Sequence, residues 1–405
     1  MLFNVEWVNF LERIWEMTAL GELMADPGAV LMIVVACFLL YLGLGKQYEP
    51  LLMVPIAFGM LLANFPGGEM YVPEVDAVKD TGLRQIAAEY GIMAMLYYAL
   101  IKTGLLPPII FLGVGALTDF GPMLRNLRLA FFGAAAQIGI FSVLFGALAA
   151  GFTLKEAAAL GIIGGADGPT AIYTTIKLAP HLLGPIAIAA YSYMALVPVI
   201  IPFVVRLTIN KQELAIHMRK QDRAFPPNTP IKDLKRVKLL FPIILGILVA
   251  TLVPSSVPLV GMLLFGNLLK EAGSITDRLY QAASGPIMNT ATVFLGLCVG
   301  ATMTSSTFLQ LNTVLIILGG FLAFAISVAG GIYAVKLYNL FSRKKINPLI
   351  GATGLSAVPM ASRVANELAL KEDPTNHLLQ YAMASNISGV IGSAIAAGVL
   401  ISFLG

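Results

Sequence analysis

Charge is what this sequence has least of. Only 12% of its 405 residues are Asp, Glu, Lys or Arg, whereas a soluble domain contains about 25%. Hydrophobic residues make up 58% of the chain, and several apolar runs reach the roughly 20 residues that a helix needs to cross a bilayer. The composition therefore excludes an ordinary soluble domain and indicates a polytopic, all-α protein in a lipid bilayer. The formal net charge of +4 is too small to indicate nucleic-acid binding.

Residues for metal or nucleophilic chemistry are also scarce. The three histidines are scattered without the spacing of metal ligands, and no Ser/His/Asp constellation or P-loop is present. The two cysteines, Cys37 and Cys298, lie in apolar runs and are most simply small core residues. The sequence therefore favours neither a resident metal centre nor ATP as the energy source.

Ten apolar runs are predicted to cross the membrane. They comprise residues 29–44, 51–63, 103–118, 129–150, 183–205, 239–253, 259–269, 287–303, 313–335 and 378–403. Residues 84–101 are ambiguous between an interfacial helix and part of a crossing. Near the N-terminus, a one-sided apolar pattern with two tryptophans is typical of a helix lying in the membrane interface, or of one packed on another subunit.

Two further apolar segments contain helix breaks. Residues 153–178 include GGADGP from Gly164, and residues 346–370 include GATG from Gly351. Glycine and proline disfavour a continuous helix. In hydrocarbon, unwound backbone is tolerated only where it is buried in protein or lines a wet cavity. Both segments are therefore predicted to form an ion or substrate site.

The basic residues predict the orientation. Residues 206–238 contain nine Lys and Arg residues, and smaller basic turns occur at 125–128 and 343–345. By the positive-inside rule all three face the cytoplasm. All three basic regions can lie on the cytoplasmic side only if each broken segment is a re-entrant hairpin that enters and leaves the membrane on the same side. This arrangement puts the N-terminus outside. A discontinuous crossing helix at each break is the alternative, and it would put the long basic loop outside.

The two halves of the chain resemble each other at three points, in the same order. The aligned pairs are 59–64 with 261–267, 111–118 with 294–302, and 165–171 with 351–357. Each half then holds about five crossings and one broken segment, and an odd count inverts the second half relative to the first. Paired broken segments in inverted repeats indicate a transport site near the membrane midplane.

The predicted domain organisation follows from these features. It consists of an interfacial amphipathic helix at 1–27, a first membrane repeat at 28–206, a basic cytoplasmic linker at 207–237 and a second membrane repeat at 238–405.

Asp167 is the residue with the strongest functional expectation, because it is the only acid centred in a broken apolar segment. Acids at membrane depth are costly and usually mark ion pathways. The structural alternative is a carboxylate that pairs with a cation or caps the following half-helix. Hydroxyls of Thr170, Thr353 and Ser356, with freed backbone carbonyls, would complete a site for a hard cation, sodium or a proton.

Three other polar residues are candidates. Tyr193, in the crossing after the first break, could ligate an ion or donate a proton, or could simply be packed with one hydrogen bond. Arg363, after the second break, could bind a carboxylate through two hydrogen bonds, or could pair with Glu367 one helical turn away. Asn347, at the entrance to that break, could ligate or cap.

Several motifs together resemble a known family. They are GGADGPT at 164–170, FLGVGALTDFGPML at 111–124, NPLIGATGLSAVPMASR at 347–363 and DPTNHL at 373–378. The set is similar to the membrane-embedded beta subunit of the sodium-pumping, biotin-dependent decarboxylases, which act on oxaloacetate, methylmalonyl-CoA, glutaconyl-CoA or malonate. The resemblance implies that a soluble subunit transfers a carboxyl group to biotin. The membrane subunit then decarboxylates carboxybiotin, consumes an external proton and exports sodium.

The resemblance also implies residue roles. Asp167 would bind sodium and carry the coupled reaction, and Tyr193 and Ser356 would handle sodium or protons. Asn347 and Gly351 would shape the second broken region, Asn347 as a sodium ligand and Gly351 beside carboxybiotin. Arg363 would handle the carboxybiotin end.

The resemblance implies an assembly as well. This includes a biotin-carrying alpha subunit, a small gamma membrane subunit and a trimer of this chain in the inner membrane, with an elevator-like fold in which a core domain moves. Biotin would be attached to the partner and not to this chain. A stand-alone sodium-coupled transporter of an organic anion is the alternative function.

Overall fold

The structure, a computed structural model, describes residues 15, 17–47, 50–73, 78, 81–225, 233–357 and 359–405. This part of the chain is helical and contains no strand, which confirms the all-α prediction. The α-helices are α1 (Leu20–Ala25), α2 (Pro27–Leu40), α3 (Pro50–Ala63), α4 (Leu83–Leu96), α5 (Leu106–Leu117), α6 (Gly121–Arg125), α7 (Leu127–Ala136), α8 (Ile138–Ala149), α9 (Leu154–Gly161), α10 (Gly168–Leu178), α11 (Leu183–Thr208), α12 (Lys211–Leu214), α13 (Met218–Ala224), α14 (Leu234–Leu252), α15 (Val257–Glu271), α16 (Asp277–Ala282), α17 (Met288–Ala301), α18 (Ser305–Phe308), α19 (Leu311–Phe341), α20 (Met360–Glu372) and α21 (Leu379–Leu404).

Short turns of other helical types join or extend these helices. The 3₁₀ turns are Ile162–Gly165, Pro180–Leu182, Pro254–Ser256, Gly273–Ile275 and Pro348–Thr353, and the π turns are Tyr41–Gly45, Tyr97–Ile101 and Ala283–Ile287. The interfacial helix predicted for residues 1–27 lies largely outside the described residues, and only its end is seen, as α1.

Within the described residues, five helical stretches are long and apolar enough to cross a membrane by themselves. They are Pro27–Gly45, Leu127–Ala149, Asp277–Ala301, Thr313–Phe341 and Leu379–Leu404. Two pairs of helices, each bent sharply at a short break, are also long and apolar enough when taken together. They are Leu83–Ile101 with Leu106–Leu117 and Pro180–Tyr191 with Leu196–Thr208. The other predicted crossings correspond to helices that are shorter, such as α3 and α15, or that begin with charged residues, such as α14.

The chain divides into two compact units. The first contains residues 1–103 and 292–314, and the second contains residues 104–291 and 315–405. Each unit therefore combines segments from both halves of the sequence.

In the first unit, α3 packs closely on α17 through glycines. A Cβ at Gly59 would lie 2.3 Å from the Leu297 carbonyl oxygen, and a Cβ at Gly300 would lie 2.1 Å from the Ile56 carbonyl oxygen. The buried Asn64 side chain extends this contact, because its Nδ2 donates to the Met303 carbonyl at 2.7 Å. Small residues let the two backbones approach, which is the usual way that helices associate in lipid.

The second unit contains a similar contact between α5 and α15. A Cβ at Gly115 would lie 1.8 Å from the Leu263 carbonyl oxygen, and one at Gly266 would lie 2.0 Å from the Leu112 carbonyl oxygen. Asn267, fully buried, donates from Nδ2 to the Thr118 carbonyl at 2.9 Å. The two helices are therefore held together by direct backbone contact over about one turn and by one buried amide.

The C-terminal helix α21 organises the rest of the second unit. It packs against α7, α10 and α20 and against the two 3₁₀ turns at Ile162–Gly165 and Pro348–Thr353. Its buried face is made of small residues, including Ala384, Gly389 and Ala394. Such residues let the irregular backbone of both broken segments approach the helix closely.

Part of the predicted basic linker at 207–237 is ordered against the second half of the chain. Asp222 accepts from Lys344 Nζ at 2.7 Å and from the Tyr381 hydroxyl at 2.6 Å. Glu213 pairs with Lys336 Nζ at 2.9 Å. The acidic residues of α12 and α13 therefore attach this segment to the ends of α19 and α21.

A small charge cluster closes the same unit where α5, α14 and α15 meet. Lys238 Nζ lies 2.8 Å from Asp119 Oδ1 and 2.9 Å from Glu271 Oε1. Burial raises the pKa of Asp119, but hydrogen bonds from Lys238 and from the Gly121 amide lower it more, so the net pKa lies below its usual value. The stability that this pairing provides is therefore present above the ordinary Asp pKa and is lost as the pH falls through the lowered one.

Replacing Lys238 by methionine tests this cluster. The Lys238→Met variant removes the cation that pairs directly with both carboxylates and leaves only Lys270 nearby. We expect it to lose about 1–3 kcal/mol of stability. The measurement is the thermal unfolding midpoint in detergent. Lys235→Met, an exposed site on the same helix, is the control. Adding Glu271→Gln should restore part of the loss, and a double variant no better than the single one would contradict the account.

Candidate functional site

The two broken segments meet in the second unit. In the first, α9 ends at Gly161, one 3₁₀ turn follows, and Ala166 adopts the left-handed conformation with φ 53° before Asp167. In the second, the 3₁₀ turn Pro348–Thr353 precedes an irregular stretch that contains Ser356. The Ser356 amide donates to the Gly165 carbonyl at 3.0 Å. Each break therefore satisfies part of the backbone that the other leaves free.

Neighbouring helices pack directly against the backbone of the first break, at glycines where there is no space for a side chain. A Cβ at Gly164 would lie 2.7 Å from the Gly139 backbone, and the Ser327 hydroxyl donates to the Gly164 carbonyl at 2.5 Å. The ring of Tyr191 covers Gly168, where a Cβ would lie 2.4 Å from a ring carbon. These contacts fix the position of Asp167 between α8, α11 and α19.

Asp167 is 5% exposed and both of its carboxylate oxygens are engaged. Oδ1 accepts from the Thr170 amide at 3.1 Å, so Asp167 caps α10. Oδ2 accepts from the Ser393 hydroxyl at 2.9 Å. The predicted capping role is therefore present in the structure. Capping leaves part of the acceptor capacity of the carboxylate unused, because the two oxygens together offer about four lone-pair sites.

Ser393 connects Asp167 to the second break. Its hydroxyl lies 2.7 Å from the Ser356 hydroxyl. Since Ser393 has a single proton, donating it to Asp167 means that Ser356 donates to Ser393 in turn. Asp167, Ser393 and Ser356 thus form one continuous chain of oxygen atoms across three elements.

Two further buried oxygens border this group. The Thr170 hydroxyl faces the Asp167 carboxylate, and the hydroxyl of Tyr191, whose ring packs on Gly168, has no hydrogen-bond partner among the described residues. Buried polar atoms in proteins are almost always paired. An unpaired oxygen near a buried carboxylate and its hydroxyls is what a site for a desolvated hard cation requires.

The other predicted residues of this unit lie further from that group. Tyr193 lies in α11 where the helix bends by 66°, with its ring against Gly320 and Phe321 of α19. Thr353 donates to the Ile350 and Ala382 carbonyls at 2.7 and 2.9 Å. Gly351 approaches α19 so closely that a Cβ would lie 2.1 Å from the Gly331 oxygen. The structure thus brings Asp167, Thr170 and Ser356 together. The contacts described for Tyr193, Thr353 and Gly351 are with other residues and not with Asp167.

Asn347 and Arg363 occupy different surroundings. Asn347 is fully buried, and its Nδ2 donates to the Leu214 and Ile216 carbonyls at 2.9 and 3.0 Å. Its Oδ1 accepts from the Leu349 amide at 3.0 Å, so the side chain joins the second break to the α12–α13 segment. Arg363 is exposed on α20, and within the described residues it forms no ion pair with Glu367.

The sequence matches the family model of the Na⁺-transporting oxaloacetate decarboxylase beta subunit over residues 28–404. The chain belongs to this family. It is 48% identical to the methylmalonyl-CoA decarboxylase subunit beta of Propionigenium modestum, over 94% of this chain and 96% of that one. It is 46% identical to the subunit of the same name from Veillonella parvula, over 95% of each chain. It is 44% identical to the oxaloacetate decarboxylase beta chain 2 of Salmonella typhi, over 95% and 97%.

Family membership confirms the general function that the resemblance implied, without testing the roles of individual residues. The chain is the membrane subunit of a sodium-translocating decarboxylase, and it acts with partner subunits. The identities of the sodium ligands stay predictions.

Ser393 was missed by the sequence reasoning, because it is one of several hydroxyl residues in a long apolar helix and has no break or charge near it. We expect Ser393→Ala to raise the sodium concentration for half-maximal activity about 10- to 100-fold, the effect of one lost hydrogen bond to a charged group. The measurement is decarboxylation rate against sodium concentration. Ser402→Ala, on the exposed end of the same helix, is the control. A Ser393→Ala curve that overlays the wild-type curve would contradict this role.

Proposed function

We propose that this chain decarboxylates carboxybiotin delivered by a soluble subunit and couples this step to sodium export and to uptake of an external proton. The observation that carries the proposal is the buried Asp167 carboxylate, joined through Ser393 to Ser356 of the second break. An acid at this depth is costly to keep, and such acids usually lie on ion pathways.

The surrounding atoms suit sodium. Carboxylate, hydroxyl and carbonyl oxygens are the ligands of hard cations, and broken helices supply freed carbonyls for such ions in transporters. Asp167 is the charged ligand of the proposed site, and Ser356, Ser393 and Thr170 supply hydroxyl oxygens. Tyr193, Thr353 and Asn347 stay candidates for further ion contacts along the path.

The coupling follows from charge balance at Asp167. A carboxylate in a dry interior is stabilised by one neutralising partner, and a bound sodium ion and a proton compete for that place. In the reaction, the N–carboxyl bond of carboxybiotin breaks, CO₂ leaves, and the biotin nitrogen takes up a proton. A proton that enters by way of Asp167 displaces sodium from it, so proton consumption and sodium release become one exchange.

Arg363 is the proposed contact for the carboxybiotin end. It follows the second break on α20, and its guanidinium is exposed and not paired with Glu367. A guanidinium binds a carboxylate through two parallel hydrogen bonds. Gly351 would shape the approach, because any side chain there would clash with α19.

We also propose that the two halves form inverted repeats with an elevator-like movement. Support comes from equivalent contacts made by equivalent residues. Asn64 and Asn267, which align between the halves, donate to the Met303 and Thr118 carbonyls in turn. Met303 directly follows the aligned segment 294–302, and Thr118 is the last residue of the aligned segment 111–118. In each case the Asn of one half donates to a carbonyl of the other half, as expected if a pseudo-two-fold axis relates the two halves.

The proposed assembly comprises a biotin-carrying alpha subunit, a small gamma subunit and three copies of this chain in the inner membrane. The N-terminus would face outside and residues 207–237 the cytoplasm, on the positive-inside rule. Biotin would reach the chain on the alpha subunit.

Asp167→Asn tests the ion role. The change keeps the size and removes the charge, so we expect the variant to assemble normally and to lose sodium transport completely. The measurement is uptake of radioactive sodium by proteoliposomes supplied with carboxybiotin. Asp277→Asn, an acid in the first turn of α16, is the control. Wild-type pumping by Asp167→Asn would remove Asp167 from the mechanism, and sodium uptake that needs an organic anion but not carboxybiotin would indicate a symporter instead.

Arg363→Gln tests the carboxybiotin contact separately. Loss of a bidentate pair should raise the KM for free carboxybiotin about 10- to 100-fold while leaving the sodium dependence unchanged. Arg343→Gln, in the basic turn after α19, is the control. An unchanged KM, or an equal change in sodium dependence, would contradict this assignment.

A further inference from the structure

Gln137 has an unusual arrangement beside the two breaks. It lies at the junction of α7 and α8, is 7% exposed, and belongs to no motif that the sequence analysis singled out. Its Nε2 lies 3.1 Å from the Gly133 carbonyl, 3.4 Å from the Gly354 carbonyl and 3.3 Å from the Gly389 carbonyl. One side-chain amide therefore joins α7, the second break and α21.

These three acceptors also determine which way the amide points. Carbonyl oxygens accept only, so the end of the side chain that faces them must be the NH₂ group. The Oε1 atom then points the other way. It is buried and has no hydrogen-bond partner among the described residues.

The free oxygen faces the first break. A Cβ at Gly165 would lie 3.5 Å from Gln137 Oε1 and 3.1 Å from Ser393 Cβ. Gln137 Oε1 and Ser393 Cβ therefore both lie next to Gly165. The Ser393 hydroxyl in turn donates to Asp167. The unpaired carbonyl oxygen of Gln137 is aimed at the edge of the Asp167 site.

We infer that Gln137 Oε1 is a neutral ligand of the transported sodium ion and that the side chain couples ion binding to the second break. An unpaired buried carbonyl costs free energy, and a desolvated hard cation is the partner that uses its lone pairs. The ion that Oε1 holds is then linked through Nε2 to Gly354. This inference rests on the proposed sodium site at Asp167.

The test uses the intact decarboxylase complex and measures binding directly. The readout is the concentration of sodium, and separately of lithium, that gives half-maximal protection against thermal unfolding. Gln137→Met keeps the side-chain length and removes the oxygen. We expect its half-maximal sodium concentration to rise about tenfold, and the lithium value to rise less, since the smaller ion needs fewer ligands.

The ratio of the half-maximal sodium concentration to the half-maximal lithium concentration distinguishes the loss of an ion ligand from a packing defect. A structural defect lowers the unfolding temperature without ions and shifts sodium and lithium equally. Ser385→Ala is the matched control, because it also removes an unpaired buried oxygen. Ser385 lies on α21 eight residues, or about 12 Å, from Ser393. Gln137→Asn, which withdraws the oxygen by one methylene, should show the same ratio change if Gln137→Met does not assemble.

Two outcomes overturn the inference, and they differ. If Asp167→Asn loses sodium protection while both Gln137 variants keep the wild-type sodium value and lithium ratio, Gln137 is not a ligand and the Asp167 site stands. If Asp167→Asn itself keeps wild-type sodium protection, the underlying site assignment is wrong and the inference falls with it.

Discussion

The hydrogen bond from the Ser356 amide to the Gly165 carbonyl is the contact on which the site depends. Breaking a helix in an apolar interior frees polar backbone groups that cost several kcal/mol each when they stay unpaired. Here each break supplies part of what the other needs, and Gln137 joins the second break to α7 and α21. Neither break would be stable at this depth alone, so the site exists only when the two halves of the chain come together.

The two breaks are alike in backbone and unlike in charge. Thr353 stands where the repeat alignment has Asp167, and its hydroxyl is satisfied by the Ile350 and Ala382 carbonyls. Asp167 keeps lone pairs to spare, and the Tyr191 hydroxyl and Gln137 Oε1 near its site lack partners among the described residues. One break therefore has the charge for a cation, while the other is followed by the exposed Arg363, which suits an anion. A subunit that couples an anionic carboxyl carrier to sodium needs this division.

Much of this was predictable from the sequence, where local chemistry determines local structure. The first broken segment was expected at 153–178, and the structure has a capping box at Thr153 and a helix end at Leu178. Glycine, proline and one acid are strong local signals. Ser393 and Gln137 carry no such signal, because a lone polar residue in an apolar helix takes its role from what packs against it. The clustering of Asp167 with Ser356 likewise depends on a tertiary contact between residues 189 positions apart in the sequence, which no local pattern records.

The central claim is that the transported cation binds between the two breaks at Asp167. The most direct measurement is a pair of high-resolution cryo-electron microscopy maps of the intact complex, prepared with sodium and in its absence. The account predicts ion density in contact with Asp167 and bordered by Ser356, Ser393 and Gln137, present only with sodium and lost in Asp167→Asn. Sodium-dependent density elsewhere, with none beside Asp167, would contradict it.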